Sequence, residues 1–148
     1  MAKQTPMSFS EFFDILYKKN EEIKSELEDI IISSMEELPS LNEIKNADKR
    51  YKSYKKAADI NMKVCQLLSN AYFTREAVSK AKYKVAKDNV TPTKITNQYK
   101  MDLDALIESI DGVILATKSF KEGVDKQLQF YNSACYMFGG ILEVRSPV

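Results

Sequence analysis

The sequence contains no histidine and no tryptophan, and only 4 glycines, 4 prolines and 2 cysteines among its 148 residues. Each shortage excludes a class of chemistry. Without histidine the chain lacks the commonest metal ligand, the commonest general base and any Ser-His or Cys-His nucleophile pair. A di-iron carboxylate bundle is excluded as well, because it draws on Glu-x-x-His motifs. All four glycines lie at or beyond Gly112, so nothing earlier can form a glycine-rich phosphate loop. Cys65 and Cys135 are too isolated to form a disulfide framework or a zinc site. They read as buried thiols of a reducing compartment.

Long hydrophobic runs are missing too. The longest uncharged stretch, Gln127–Leu142, includes polar residues and a glycine pair, and is too short and too polar to span a membrane. The opening Met-Ala-Lys-Gln-Thr-Pro has no apolar signal-peptide core. A cytoplasmic protein is the expectation.

What is present is a globular composition, 44% hydrophobic and 29% charged, of a size suited to one domain over residues 1–148. The formal net charge of +1 conceals a strong asymmetry. Residues 11–43 hold ten acids and three bases, or −7; residues 44–100 hold fourteen bases and four acids, or +10. Residues 101–148 hold seven acids and four bases, or −3. Either acidic and basic helices neutralise each other within a bundle, or the basic segment meets an acidic partner or nucleic acid.

The apolar spacing and the prolines together predict an all-α fold, an elongated antiparallel bundle of three long helices. The first spans about 8–38. Ser8 and Glu11 have capping-box spacing, Met7 and Phe12 can form a hydrophobic staple, and Leu38-Pro39 ends it. Its seam runs Phe9, Phe13, Leu16, Ile23, Leu27 and Ile30, with polar Asn20 and Ser34 at two seam positions.

The second helix spans about 41–88, with a capping box at Ser40 and Glu43. One apolar stripe follows Ile44, Ala47, Tyr51, Tyr54, Ala58, Cys65, Leu68 and Tyr72. A parallel stripe follows Ile60, Val64, Leu67, Ala71, Val78, Ala81 and Val85. Such a wide apolar face suits contact with two neighbours. A break near residues 70–74 would turn three helices into four.

The third helix spans about 92–138, with Thr91 as N-cap and Pro92 at the first position. Its seam runs Ile95, Tyr99, Leu106, Ile110, Val113, Phe120, Val124, Leu128, Tyr131, Cys135 and Phe138. Gly139-Gly140 supplies a stop before a short tail, 139–148. Gly112 and Gly123, inside this helix, mark a close helix approach or a bend.

Carboxylates are abundant, but adjacent pairs such as Glu21/Glu22, Glu28/Asp29 and Glu36/Glu37 splay around a helix and read as solvated faces. Asp102, Asp104 and Glu108 share acids with a calcium loop but lack its central glycine. No catalytic residue, metal site or cofactor is assigned, and the expected function is non-enzymatic.

Two surfaces stand out. Lys45, Lys49, Arg50, Lys52, Tyr54 and Lys56 interleave cations with aromatics, as do Lys80, Lys82, Lys84 and Lys87 around Tyr83. Lysines can neutralise phosphates while aromatic faces stack on bases, so these are candidate nucleic-acid contacts. The second surface is a candidate oligomer interface: Phe9, Phe12 and Phe13 with Phe130, Tyr131, Tyr136, Met137, Phe138, Ile141 and Leu142. The leading reading is a helical interaction or assembly protein acting as an oligomer, with self-association expected and a protein partner allowed. The alternative is an accessory protein that binds single-stranded DNA or RNA through the basic helix. Long helices with a basic middle helix are similar in outline to small phage recombination mediators that bind single strands. That likeness is one of architecture and composition, and it implies no residue correspondences.

Overall fold

The structure, a computed structural model, describes residues 7–39 and 47–145, with the side chains of 47–48 and 134–145 excepted. It is all-α, with three helices packed as a bundle: α1 (Phe9–Glu37), α2 (Ala47–Ala86) and α3 (Thr93–Arg145).

The helix ends follow local chemistry. Ser8 caps α1: its Oγ accepts from the Glu11 N–H at 3.2 Å, and its carbonyl accepts from the Phe12 N–H. Leu38 donates the last helical bond to Ser34, and Pro39 lies just beyond the end. The second capping box, Ser40 and Glu43, lies outside the described residues. No break occurs near 70–74, and α2 is continuous from Ala47 to Ala86. There the Thr74 hydroxyl bonds back to the Asn70 carbonyl at 2.8 Å, within the helix.

Two ends differ from expectation. Thr91 is not the N-cap of α3, because the carbonyl of Pro92 accepts the first helical bonds, from Ile95 and Thr96. Thr91 instead serves the turn before α3: its N–H and hydroxyl both donate to the Asp88 carboxylate, as does the Val90 N–H. At the other end, Gly139-Gly140 does not stop α3, which continues to Arg145. A glycine stop requires a left-handed residue, and no described glycine has positive φ.

Contacts divide the chain into two compact units, neither of them continuous in sequence. Unit 1 comprises Met1–Ser25 and Leu68–Ala116, and unit 2 comprises Glu26–Leu67 and Thr117–Val148. In unit 1 the core is built from Leu16 and Ile23 of α1, Ala71, Val78 and Ala81 of α2, and Leu103, Leu106, Ile110, Val113 and Ile114 of α3. Phe9 stacks on Tyr99 with ring centroids 3.8 Å apart. In unit 2, Ile60, Val64 and Val124 pack with half-buried Ile30, Leu38, Phe120 and Leu128. Tyr131 joins Ala57, and its hydroxyl donates to the Pro39 carbonyl at 2.8 Å, satisfying a phenol that is 1% exposed.

The buried positions form a three-and-four register on every helix. On α1 it is Leu16, Asn20, Ile23, Leu27 and Ser34, with Phe9, Phe13 and Ile30 half-buried. On α2 it is Arg50, Ser53, Ala57, Ile60, Val64, Leu67, Ala71, Thr74, Val78 and Ala81. The second expected stripe is therefore the core. The first is not: Tyr51, Tyr54, Cys65 and Tyr72 are exposed, so the Cys65 thiol is not buried as expected. On α3, Thr96 takes the buried position expected of Ile95, which is exposed. The reason is register: Thr96 lies seven residues before Leu103 and keeps the steps alternating through Tyr99, Leu103 and Leu106, whereas Ile95 would need two steps of four in succession. The methyl of Thr96 packs while its hydroxyl bonds to the Thr93 carbonyl.

Asn20 is a buried polar link in unit 1. Its Nδ2 donates to Ser109 Oγ at 3.0 Å, while its Oδ1 is buried with no partner. Removing both groups should remove this desolvation cost. We expect Asn20→Leu/Ser109→Ala to raise stability by about 1–3 kcal/mol in urea melts.

Gly112 and Gly123 mark no close approach, because a Cβ at either would meet nothing within 4 Å. Their φ values are negative, so alanine fits at both. Each Gly→Ala substitution should stabilise the chain by about 0.5–1 kcal/mol, read as a higher thermal midpoint.

The three bonds to Asp88 lower its pKa, with the Thr91 hydroxyl the largest cause. A carboxylate held below its ordinary value stabilises the fold above that range and loses this contribution as pH falls through its folded pKa. Asp88→Ala should therefore destabilise the chain at neutral pH. The gap from wild type should narrow below about pH 4 in acid-titrated melts.

Candidate functional site

The register of α2 determines where its charged and aromatic residues go. The buried seam claims Arg50, which is 5% exposed, so this residue is not on the basic surface where it was expected. Lys49, Lys52 and Lys56 are spaced three and four apart on another side of the helix and are exposed. In unit 2 they line a cavity of about 750 Å³ together with Glu36 and Glu37 at the end of α1.

This placement has an electrostatic consequence. The last turn of α1 contains no basic residue, although a helix C-terminus carries partial negative charge and favours cations. Glu36 and Glu37 add negative charge at that end. Lys49, Lys52 and Lys56 line the same cavity as these two carboxylates, so α2 sets charge of the opposite sign beside the acidic end of α1.

The second cluster, in unit 1, is also partly engaged. Lys82 pairs with Asp104 and Lys80 with Glu76. Arg75 donates to Asp111, and this hydrogen bond is the main cause that raises the Arg75 pKa. Lys87 lies 4.3 Å from the centroid of the Tyr83 ring, which is itself exposed. Lys84 is exposed beside it. Lys45 lies outside the described residues.

The described residues of the expected oligomer surface fall in both units. Phe9, Phe12 and Phe13 are half-buried, and Phe9 is held against Tyr99. Tyr131 is a core residue of unit 2 rather than a surface one, because the α3 register turns it toward Ala57 and Pro39. Phe130 remains exposed. The side chains of Tyr136, Met137, Phe138, Ile141 and Leu142 lie outside the described residues.

The open side of α2 carries Tyr51, Tyr54, Cys65 and Tyr72, which the first stripe placed in the core, together with Met62 and Phe73, which lay in neither stripe. In unit 2, Tyr51, Tyr54, Met62 and Cys65 lie at helical spacing on the side of α2 away from its seam. Met62 is 70% exposed and Tyr51 59%. In unit 1, Tyr72 and Phe73 are exposed as well, Phe73 at 71%. Lys55 borders the patch, 5.1 Å from the Tyr51 ring centroid. The signal for this surface was already in the sequence: two apolar stripes on a helix whose core needs only one.

Several carboxylates are engaged within their own helix. Glu21 pairs with Lys24 and Asp14 with Lys18, and Asp102 accepts from Gln98. Asp125 pairs with Lys121, whose pKa this hydrogen bond raises. Among the described residues no three acids or cysteines come together as a metal site, and no helix is long and apolar enough to cross a membrane.

No protein-family model matches this chain, and comparison with curated proteins and with solved structures finds no match.

Proposed function

We propose that this chain is a non-enzymatic helical interaction protein that works by self-association. One observation carries the reading: α2 presents apolar side chains on the side away from its core. Tyr51, Tyr54, Met62 and Cys65 form a patch in unit 2 with one cation, Lys55, at its border. Exposed apolar residues scattered singly are ordinary, whereas several at helical spacing suit a packed partner surface. Tyrosine and methionine are well suited to this role, since both are enriched in interface cores.

Sedimentation of the full chain from about 10 to 100 μM should show a concentration-dependent assembly. Met62→Glu, an exposed substitution, should weaken that assembly at least tenfold without lowering the melting temperature of the monomer. A strict monomer across this range overturns the reading.

A nucleic-acid reading draws its support from exposed Tyr83 with Lys84 and Lys87 beside it. It has less support than the apolar surface, because Lys82 has a carboxylate partner on α3 and Arg50 is buried. It predicts salt-sensitive anisotropy changes with labelled single-stranded DNA or RNA, reduced by Lys84→Glu/Lys87→Glu. No change at low salt ends that reading.

A further inference from the structure

Unit 1 contains a groove of about 510 Å³ between the start of α1 and the last turns of α2. Phe9 and Phe12 line it from α1, and Ala77 and Ala81 from α2. The two alanines are small enough to leave the space open, and Phe9 is braced by its stack on Tyr99. Lys80 and Lys84 line the same groove one turn apart, and both are exposed. Among the described residues no acid lines it. The partner of Lys80 is Glu76, an exposed neighbour one turn back on the same helix, and such a pair is weakly held. The α1 N-terminus, whose amide dipoles favour negative charge, stands at the same end.

We propose that this groove binds a single-chain amphiphile with an anionic head, specifically a fatty carboxylate. The apolar chain lies between the phenylalanines and the alanines, and the carboxylate is met by Lys84 and Lys80. Charge and size both select this occupant. A groove lined by cations and apolar groups, without acids, favours an anion with an apolar body. Its volume lies in the range of small-molecule pockets.

The test is calorimetric titration of the full chain with sodium decanoate below its micelle range, with decanol in parallel. We expect saturable binding of one decanoate per chain. Affinity should fall about tenfold or more in Lys80→Gln/Lys84→Gln, with decanol at least as weak on the wild type. Ala77→Phe should abolish binding by filling the groove, while thermal melting shows that the variant still folds. Lys49→Gln/Lys52→Gln, in unit 2, should leave the affinity unchanged. Equal decanoate affinity in wild type and Lys80→Gln/Lys84→Gln, non-saturating uptake, or no binding at all would overturn the proposal. So would an acidic peptide that binds this site when decanoate does not.

Discussion

The constraint on which the rest of this structure depends is that each helix must keep one three-and-four seam buried along its described length. Among the described residues there is no strand, the two cysteines of the sequence make no disulfide framework, and the core is the residues that these seams bring together. A continuous helix cannot change faces halfway, so the choice of seam is made for the whole element at once. That choice explains why polar residues sit inside. Thr74, Thr96 and Ser34 occupy seam positions and return their hydroxyls to carbonyls of their own helix. Asn20 does otherwise, reaching across to Ser109 and leaving its own oxygen unpaired. A link of this kind costs stability and favours one alignment of α1 against α3, as a buried asparagine does in a coiled coil.

The same constraint decides which stripe of α2 is buried. The stripe containing Tyr51, Tyr54, Ala58, Cys65, Leu68 and Tyr72 has the bulkier side chains and looks the stronger candidate by hydrophobicity alone. Continued at the same spacing, it runs into Arg75 and Lys82, both of which pair with acids of α3. The stripe one position earlier contains Arg50, Ser53 and Thr74, yet it extends through Val78 and Ala81 without further charge. Length outweighs local strength. The cost is one buried arginine near the start of α2, and the consequence is an exposed set of tyrosines and a methionine.

Legibility in the sequence follows the same logic. On α1 a single stripe competes for burial, and the buried set is the one its spacing indicates, including polar Asn20 and Ser34. The three-helix, all-α architecture was equally readable, because Ser8 and Pro39 bound α1 and Pro92 stands directly before α3. Errors arose where two answers had similar local merit. Ile95 and Thr96 are adjacent, and hydropathy favours Ile95 while register favours Thr96. Gly139-Gly140 permits a stop, but a stop needs a left-handed backbone that α3 does not adopt. The candidate surface was the least legible part. Whether an apolar stripe faces a neighbour or solvent depends on the packing of all three helices, which periodicity within one helix cannot encode.

Charge follows from the seams rather than directing them. Once α2 buries its Arg50 register, Lys49, Lys52 and Lys56 point where the acidic end of α1 stands, so part of the +10 segment meets part of the −7 segment within unit 2. In unit 1 the acids that meet α2 come from α3 instead, through Asp104 and Asp111. The basic helix is thus partly neutralised by two different neighbours in two different places. What it leaves over is specific: Lys84 and Lys87 with Tyr83 at the end of α2, and an aromatic patch with Lys55 nearer its start. Arg75 and Lys82 have carboxylate partners on α3, and Arg50 is buried, which lowers the number of α2 cations open to a phosphate backbone, where affinity rises with the number of phosphates neutralised. The α2 surface is better built to meet apolar groups, with a few cations left to orient them.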